Sequence, residues 1–337
     1  MKKLLKKYWR ELVYERDDKR RHTGKALKIV AIGGGTGLST LLRGLKKYSD
    51  DISAIVAMAD SGGSTGKLRD EFDIPPPGDI RKCIAALAYD EDLISKIFNY
   101  RFDKNLNSLS GHTLGNIWLT ALTQQFGSFE RAVELTSQIF FTSGQILPVT
   151  LEKAELVATY QDQSKIVGED RIPRPGKQIN KIRYNKKTEA YPKAITAIDQ
   201  ADLILIGPGS LYTSIIPNLI LPEISKAIDE NKQAVKIYIA NCSTERGETE
   251  SFGIEEHIRA IRKQVKRELF EICLVNDKII KKSVNDHVLG NINNITTNKN
   301  SIDGCRIVKA DLINNKEPLY HNHQKLAQKI IEIFNNS

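Results

Sequence analysis

One stretch limits what this chain can fold into: Lys28-Ile-Val-Ala-Ile-Gly-Gly-Gly-Thr-Gly37, running on into Leu38-Ser-Thr-Leu-Leu-Arg43. Lys28 to Ile32 reads as a short, buried, β-branched strand. Leu38, Leu41, Leu42 and Leu45 then fall at helical spacing. Between them lie four glycines and a threonine, so the order is strand, glycine turn, helix. At such a turn the free amides of the first helical turn, and the positive end of the helix dipole, face whatever sits above the strand. Glycine lets backbone approach a phosphate without an intervening Cβ. Gly33, Gly34, Gly35, Thr36 and Gly37 are therefore expected to bind phosphate through backbone N–H groups. A side chain at Gly35 is expected to occupy the phosphate's space. Leu38 stands where G-x-G-x-x-G would place its third glycine.

A second apolar run, Asp51 to Asp60, ends in a carboxylate. In doubly wound folds an acid at about this distance from the glycine turn faces ribose hydroxyls. Ser61-Gly-Gly-Ser-Thr-Gly-Lys-Leu-Arg69 follows as a second glycine-rich stretch. Its glycine spacing is wrong for a phosphate-binding NTPase loop, and Leu68 replaces the magnesium-binding hydroxyl. We read it as a flexible, donor-rich loop, with Ser61, Gly62, Gly63, Lys67 and Arg69 toward an anionic ligand. Pro75-Pro-Pro-Gly-Asp-Ile-Arg81 breaks the chain and starts a helix, placing Gly78, Asp79 and Arg81 near its N-terminus. Gly111-His-Thr-Leu-Gly-Asn116 opens another, with His112 and Thr113 at its cap and Asn116 one turn inside. Thr113 also reads as a plain N-cap.

The character changes over residues 144–191, where alternating runs at 154–160, 165–171 and 181–184 read as antiparallel strands inserted into an α/β framework. Helix 194–201 and strand 202–206 resume that framework. A third glycine turn, Gly207-Pro-Gly-Ser-Leu-Tyr-Thr213, follows that strand. Further strands are expected at 235–240, 269–275 and 306–312, and helices at 221–230, 253–267 and 324–334. Asn241 to Thr249 forms a fourth loop at the same strand edge, where ligands of open α/β sheets bind. Residues 285–300 read as a polar surface loop.

At 337 residues, with 40% hydrophobic and 27% charged content, the chain can bury a full core. It has no apolar run long enough to span a bilayer and no signal-peptide pattern, and its four cysteines show no zinc spacing. A cytoplasmic location is expected. The net charge of +9 is concentrated in residues 1–28, whose eleven Lys and Arg against four acids give +7. We therefore expect no nucleic-acid partner. Residues 1–26 read as a basic extension to a single domain spanning 27–337. Leu4, Leu5, Tyr8, Trp9 and Leu12 there suit weak contact with an anionic membrane or a protein, and a solvated extension explains them as well.

With these pieces assembled, the chain resembles the family containing the bacterial gluconeogenesis factor YvcK and, more distantly, 2-phospho-L-lactate transferase CofD. The matching segments are Ile32-Gly-Gly-Gly-Thr-Gly-Leu-Ser39, Ala59-Asp-Ser-Gly-Gly-Ser-Thr-Gly-Lys-Leu-Arg69, Pro76-Pro-Gly-Asp-Ile-Arg81, Gly111 to Asn116, Gly207 to Pro217 and Gly247-Glu-Thr249. They occur in the family's order. The resemblance implies a modified Rossmann-like, doubly wound, mostly parallel α/β sheet with a β-rich insertion. It implies a UDP-sugar as ligand in the YvcK branch, with a role in cell-wall synthesis and cell shape during gluconeogenic growth. In the transferase branch it implies magnesium-assisted transfer of a phospholactyl-type group from a nucleotide diphosphate conjugate, with release of a nucleoside monophosphate. Ligand-binding residues carried over are Gly33 to Gly37, Asp60 to Gly63, Lys67, Arg69, Gly78, Asp79, Arg81, His112, Asn116, Gly207, Pro208, Gly209, Ser210, Asn241, Glu248 and Thr249. Asp60, Asp79 and His112 are the acid–base candidates, with Glu248 beside them, and Asp60 the one metal candidate. Ser61 replaces the second of the family's paired aspartates, which counts against magnesium. A binding protein is favoured over an enzyme, and a homo-oligomer is expected.

Overall fold

The computed structural model describes residues 26–103, 109–279 and 293–337. The basic extension, apart from its last residue, and much of the 285–300 loop lie outside the described residues. Strand β1 (Ile29–Gly33) is buried along its whole length, as a parallel strand covered on both faces requires. It turns at Gly34 into α1 (Gly35–Leu45), whose Leu38, Leu41, Leu42 and Leu45 are all inside. Next come β2 (Ile52–Val56), α2 (Gly63–Phe72), α3 (Gly78–Leu87), α4 (Glu91–Asn99), α5 (Leu114–Phe126), α6 (Phe129–Ile139) and β3 (Gln145–Pro148). The stretch expected to be a flexible loop at 61–69 is mostly the first two turns of α2. Gly66 is needed for its close packing, because a Cβ there would lie 2.2 Å from the Ser61 carbonyl oxygen.

The insertion contributes β4 (Leu156–Tyr160), β5 (Lys165–Val167) and β6 (Ile179–Tyr184), which pair antiparallel as a separate sheet in the order β5-β4-β6. Its start is later than the sequence suggested, since β3 at 145–148 pairs with β2 in the main sheet. The framework then runs through α7 (Pro192–Asp199), β7 (Leu203–Ile206), a π turn (Leu211–Ile215), α8 (Ile216–Leu219) and α9 (Pro222–Glu230). It closes with β8 (Val235–Ile239), α10 (Ile254–Val265), β9 (Ile272–Asn276), β10 (Ser301–Ile302), β11 (Cys305–Ala310) and α11 (His323–Asn335).

The main sheet has eight strands in the order β10-β11-β9-β8-β7-β1-β2-β3, parallel except for β10. Helices cover it on both sides, α1 packing on α3 and α11 and α7 on α9. The α1–α11 approach is backbone on side chain and backbone, since a Cβ at Gly44 would sit 2.1 Å from the His323 carbonyl oxygen. From β1 the chain winds through β2 to β3 on one side and through β7, β8 and β9 on the other. The strand order therefore reverses between β1 and β7, and a crevice opens outside their carboxyl ends.

Candidate functional site

The two glycine turns meet at that reversal. A Cβ at Gly37 would lie 2.4 Å from the Pro208 carbonyl oxygen and 3.0 Å from the Gly209 amide nitrogen. The turn after β7 holds this contact through a cis Gly207–Pro208 bond, with Gly207 at φ +83° and Gly209 at φ +158°. Asn241, just beyond β8, clamps Gly209 from both sides. Its Oδ1 accepts from the Gly209 amide at 3.0 Å and its Nδ2 donates to the Gly209 carbonyl at 3.0 Å. A cavity of about 220 Å³ sits here, lined by Gly34 to Gly37, Pro208 to Ser210, Asn241 to Ser243 and the Leu319-Tyr320-His321 segment. Backbone, hydroxyl and amide groups border it, which suits phosphate held by dipoles, and the Glu245 carboxyl and His321 ring complete the lining.

Asp79 reaches this glycine turn, though not from the ligand side of an open loop. Its Oδ2 accepts from the Gly35 amide at 2.6 Å and its Oδ1 from Lys82 Nζ at 2.9 Å. Asp79 thus positions the turn, leaving Thr36 and Gly37 as the first-turn residues that line the cavity beside Gly34 and Gly35. Gly35 has φ +60°, and a Cβ there would meet only Ser214 Oγ, at 4.0 Å. The expected conflict of a Gly35 side chain with ligand is thus joined by backbone strain.

A second cavity, of about 580 Å³, adjoins the first and shares Ser210, Ser243, Glu245, Leu319 and Tyr320 with it. Its outer wall is the turn after β5, bearing Glu169, Pro173 and Arg174. Ser61 ties that wall to the β2 edge: its Oγ donates to Asp170 Oδ1 at 2.8 Å and accepts from the Asp170 amide at 3.2 Å. Glu248 borders this cavity while accepting from the Tyr212 amide at 2.9 Å and from Thr213 Oγ1 at 2.8 Å. Thr249 lies inside the loop, its Oγ1 accepting from the Glu245 amide at 2.9 Å. Burial, then the charges of Asp60, Asp79, Glu248 and Asp170, push the Glu169 carboxyl up to about 8. Burial, then the charge of Glu248, raise Glu245, and burial raises Glu248 against the hydrogen bonds from Tyr212 and Thr213.

The remaining candidates form a separate network on the β2 side. Burial and then Asp79 raise the Asp60 carboxyl, whose Oδ1 accepts from the Gly62 amide at 2.9 Å. Asn116 donates to Ser64 Oγ at 3.1 Å and accepts from Arg81 Nε at 3.0 Å, and His112 Nδ1 lies 3.0 Å from Ser64 Oγ. Burial and then Lys67 lower the His112 pKa, so the imidazole is neutral at pH 7. Arg81 and Asn116 are buried and hold helices together, and Thr113 is the N-cap of α5, accepting from the Asn116 amide at 3.4 Å. Arg69 turns toward Asp70 and Glu155, while Lys67 is exposed on α2. Neither cavity is lined by His112, Asn116, Arg81 or Asp60.

Magnesium, implied by the transferase branch, prefers several anionic oxygens. Asp60 and Asp79 are each engaged by a backbone amide, and Lys82 supplies positive charge beside Asp79. Among the described residues no three Asp, Glu, His or Cys side chains converge as a metal site. The donor set does not fit a resident magnesium ion.

Several lining residues escaped the sequence reading. Glu245 and Arg246 lie within the stretch Asn241 to Thr249, and their polarity was visible. Glu169 and Arg174 lie in the insertion, whose fold over the cleft no local pattern signals. Tyr320 and His321 precede a helix and carry no motif at all. Burial pushes His321 down to about 4, and its Nε2 has no partner.

Comparison with known proteins identifies the family and its fold. The family model described as 2-phospho-L-lactate transferase CofD matches residues 29–313. A putative gluconeogenesis factor of Nostoc sp. is 45% identical over 312 residues, covering 90% of this chain and 68% of the relative. One from Aquifex aeolicus is 41% identical over 324 residues, covering 93% and 98%. A crystal structure of a Bacillus halodurans protein, described as a member of the upf0052 family, superposes with a TM-score of 0.85 at 35% identity, covering 92% of this chain and 100% of that one. On these grounds the chain belongs to the CofD family, among relatives called gluconeogenesis factors.

Proposed function

We propose that this protein binds a nucleoside diphosphate sugar, specifically a UDP-sugar, at the crevice between β1 and β7, and that it supports cell-wall synthesis and cell shape during gluconeogenic growth. The observation that carries the binding reading is the backbone contact of two glycine turns, Gly37 against Pro208, at the reversal of strand order. That contact shapes a cavity bordered by the first turn of α1, the place where a diphosphate gains most from free amides and the helix dipole. The neighbouring larger cavity offers room for the sugar. The physiological role rests on the names of the relatives and on the resemblance, not on the geometry.

A second reading, a transferase that moves a phospholactyl-type group and releases a nucleoside monophosphate, is favoured by the family match alone. The donor set around Asp60 opposes it. Native mass spectrometry against UDP-sugars, GDP conjugates and NAD tests the first reading. We expect a one-to-one UDP-sugar complex of micromolar affinity, about 8 kcal/mol. Binding of GDP conjugates alone, with magnesium-dependent appearance of GMP, would replace it with the second.

A further inference from the structure

The smaller cavity suits a diphosphate in shape and dipoles, but one side chain in its wall opposes an anion. Among the described residues, its lining holds one carboxyl, that of Glu245, and neither lysine nor arginine. Glu245 is fixed in place. Its amide donates to Thr249 Oγ1 at 2.9 Å, and its carbonyl accepts from the Thr249 amide at 2.9 Å. Its Oε1 accepts from Asn241 Nδ2 at 3.1 Å, and the Ser210 hydroxyl donates to the carboxylate as well. Asn241 is the side chain that clamps Gly209, so the carboxyl is fastened to the turn that walls the cavity. The groups facing it leave its charge unmatched. Glu248 follows in the same loop, and Glu169 and Arg174 border the larger cavity with it. Arg174 is committed to Asp170, and Arg246 is exposed. On the remaining sides stand Tyr238 of β8, Asp79 behind the Gly35 amide, and the His321 ring, uncharged at pH 7 because burial lowers its pKa.

A diphosphate in this cavity would lie against a carboxylate that has amide and hydroxyl partners but no cation. Like charges at such a distance disfavour each other's ionised forms, and the carboxyl is the member that can take up a proton. We propose that Glu245 receives the diphosphate as a neutral carboxylic acid, its second oxygen donating a hydrogen bond to a phosphate oxygen, so that ligand binding takes up a proton from solvent. This rests on the nucleotide-sugar reading and adds a proton-linked residue to that site. The proton passes from solvent to the carboxyl and stays there, and no bond of the ligand changes. Protonation turns an acceptor-only group into a donor, and a hydrogen bond from a hydroxyl to an anionic oxygen is short and strong. The free protein is already biased this way, since burial and then Glu248 raise the carboxyl. The sign follows. Where the free protein's carboxyl is protonated, affinity is level. As pH rises through its titration, binding must supply the proton, and affinity falls toward about tenfold per unit.

UDP-glucose is a suitable probe, because its diphosphate keeps the same charge from about pH 6 to 9, and any proton taken up belongs to the protein. Titration calorimetry over that range, in pairs of buffers with different ionisation enthalpies, reads affinity and protons together. The unmodified protein is expected to bind most tightly at the acid end, with uptake approaching about one proton per ligand where affinity falls. Glu245→Gln cannot ionise and mimics the acid, so its affinity should not vary with pH and its binding should take up no proton. Circular dichroism checks that the variant is folded, and the buffer dependence of the unmodified protein stands without it. Four results would overturn the inference while leaving nucleotide-sugar binding intact. These are pH-independent affinity in the unmodified protein, proton uptake that persists in Glu245→Gln, loss of binding at acid pH in the folded variant, and recovery of alkaline affinity on adding magnesium. If UDP-glucose binds at no pH, the nucleotide-sugar reading fails and this inference fails with it.

Discussion

Replacing Gly37 by alanine probes the contact on which the site is built. The added Cβ would lie 2.4 Å from the Pro208 carbonyl oxygen, 2.7 Å from its carbon and 3.0 Å from the Gly209 nitrogen. All three are backbone atoms of a turn that is itself held, by the Gly207 amide on the Ile32 carbonyl at 2.8 Å and by Asn241 on Gly209. No side-chain rotation relieves the overlap, so the two turns must part by about 1 Å, and overpacking of this kind costs about 1–3 kcal/mol. In a chain of 337 residues each kcal/mol moves the thermal midpoint by only about 1–2 °C. A midpoint lowered by a few degrees is expected, with UDP-sugar affinity falling more than tenfold because the amides of α1 move away from the opposite turn. Gly35→Ala is the internal comparison. Its Cβ has room, but φ +60° strains any non-glycine residue by about 1 kcal/mol or more. Calorimetry and thermal melts on both variants check this. A Gly37→Ala protein with unchanged midpoint and affinity would show that the turns are not in backbone contact, and the reading of the crevice would fall.

Asn241→Ala should strand the Gly209 amide and carbonyl and cost about 1–3 kcal/mol, with weaker nucleotide binding seen in the same titrations. Retained affinity would mean the turn after β7 is fixed by other means. The Glu169 carboxyl, raised from 4.5 to about 8, makes folding take up a proton, so its stabilising contribution is complete below about pH 4.5 and is lost as pH rises through about 8. Thermal midpoints from pH 6 to 9 should fall more steeply in the unmodified protein than in Glu169→Gln, which mimics the protonated group, and parallel profiles would contradict the assignment. A protein starting at Ala26 should keep its thermal midpoint and its UDP-sugar affinity, and a large drop in either would assign residues 1–25 to the folded body or to an oligomer contact.

The framework was legible because its signals are local. Apolar β-branched runs at 29–32 and 203–206, each followed by a glycine turn, define strands, their direction and the binding edge without tertiary information. Helix 129–139 went unread although it carries its own signal: Ser128 caps it by accepting from the Arg131 amide, and Phe129, Val133 and Thr136 form its buried face. The stretch 61–69 was misread because glycine and hydroxyl residues favour loops by propensity, while packing against α5 makes most of it a helix. The site was legible in part. The glycine turns and Asn241 line the crevice, yet Asp79 and Glu248 direct their oxygens to backbone amides, and Arg81 of α3 and Asn116 of α5 are buried against each other. Polarity in a motif does not say which way a side chain faces. The insertion's contribution was beyond reach, since the closure of Glu169 and Arg174 over the cleft depends on pairings 109 residues apart, such as Ser61 with Asp170.

Ser61 bears most directly on whether this protein catalyses transfer. Its hydroxyl both donates to and accepts from Asp170, fastening the insertion to the strand edge with no net charge. A carboxylate in its place, as the resemblance leads one to expect, could not donate to Asp170 and would face it as a like charge. With Asp60 and Asp79 close by, such a cluster would hold together only around a cation. Ser61 therefore bridges the two segments by hydrogen bonds that need no cation. Ser61→Asp should lower the thermal midpoint without magnesium, by the loss of the hydrogen bond that Ser61 donates, worth about 1 kcal/mol, plus repulsion. Added magnesium should restore the midpoint of the variant and leave that of the unmodified protein nearly unchanged. Thermal shift measurements with and without magnesium decide it. Equal magnesium dependence in both proteins would mean that a cation already bridges Asp60 or Asp170 in this chain, and the case against the transferase would lose its main support.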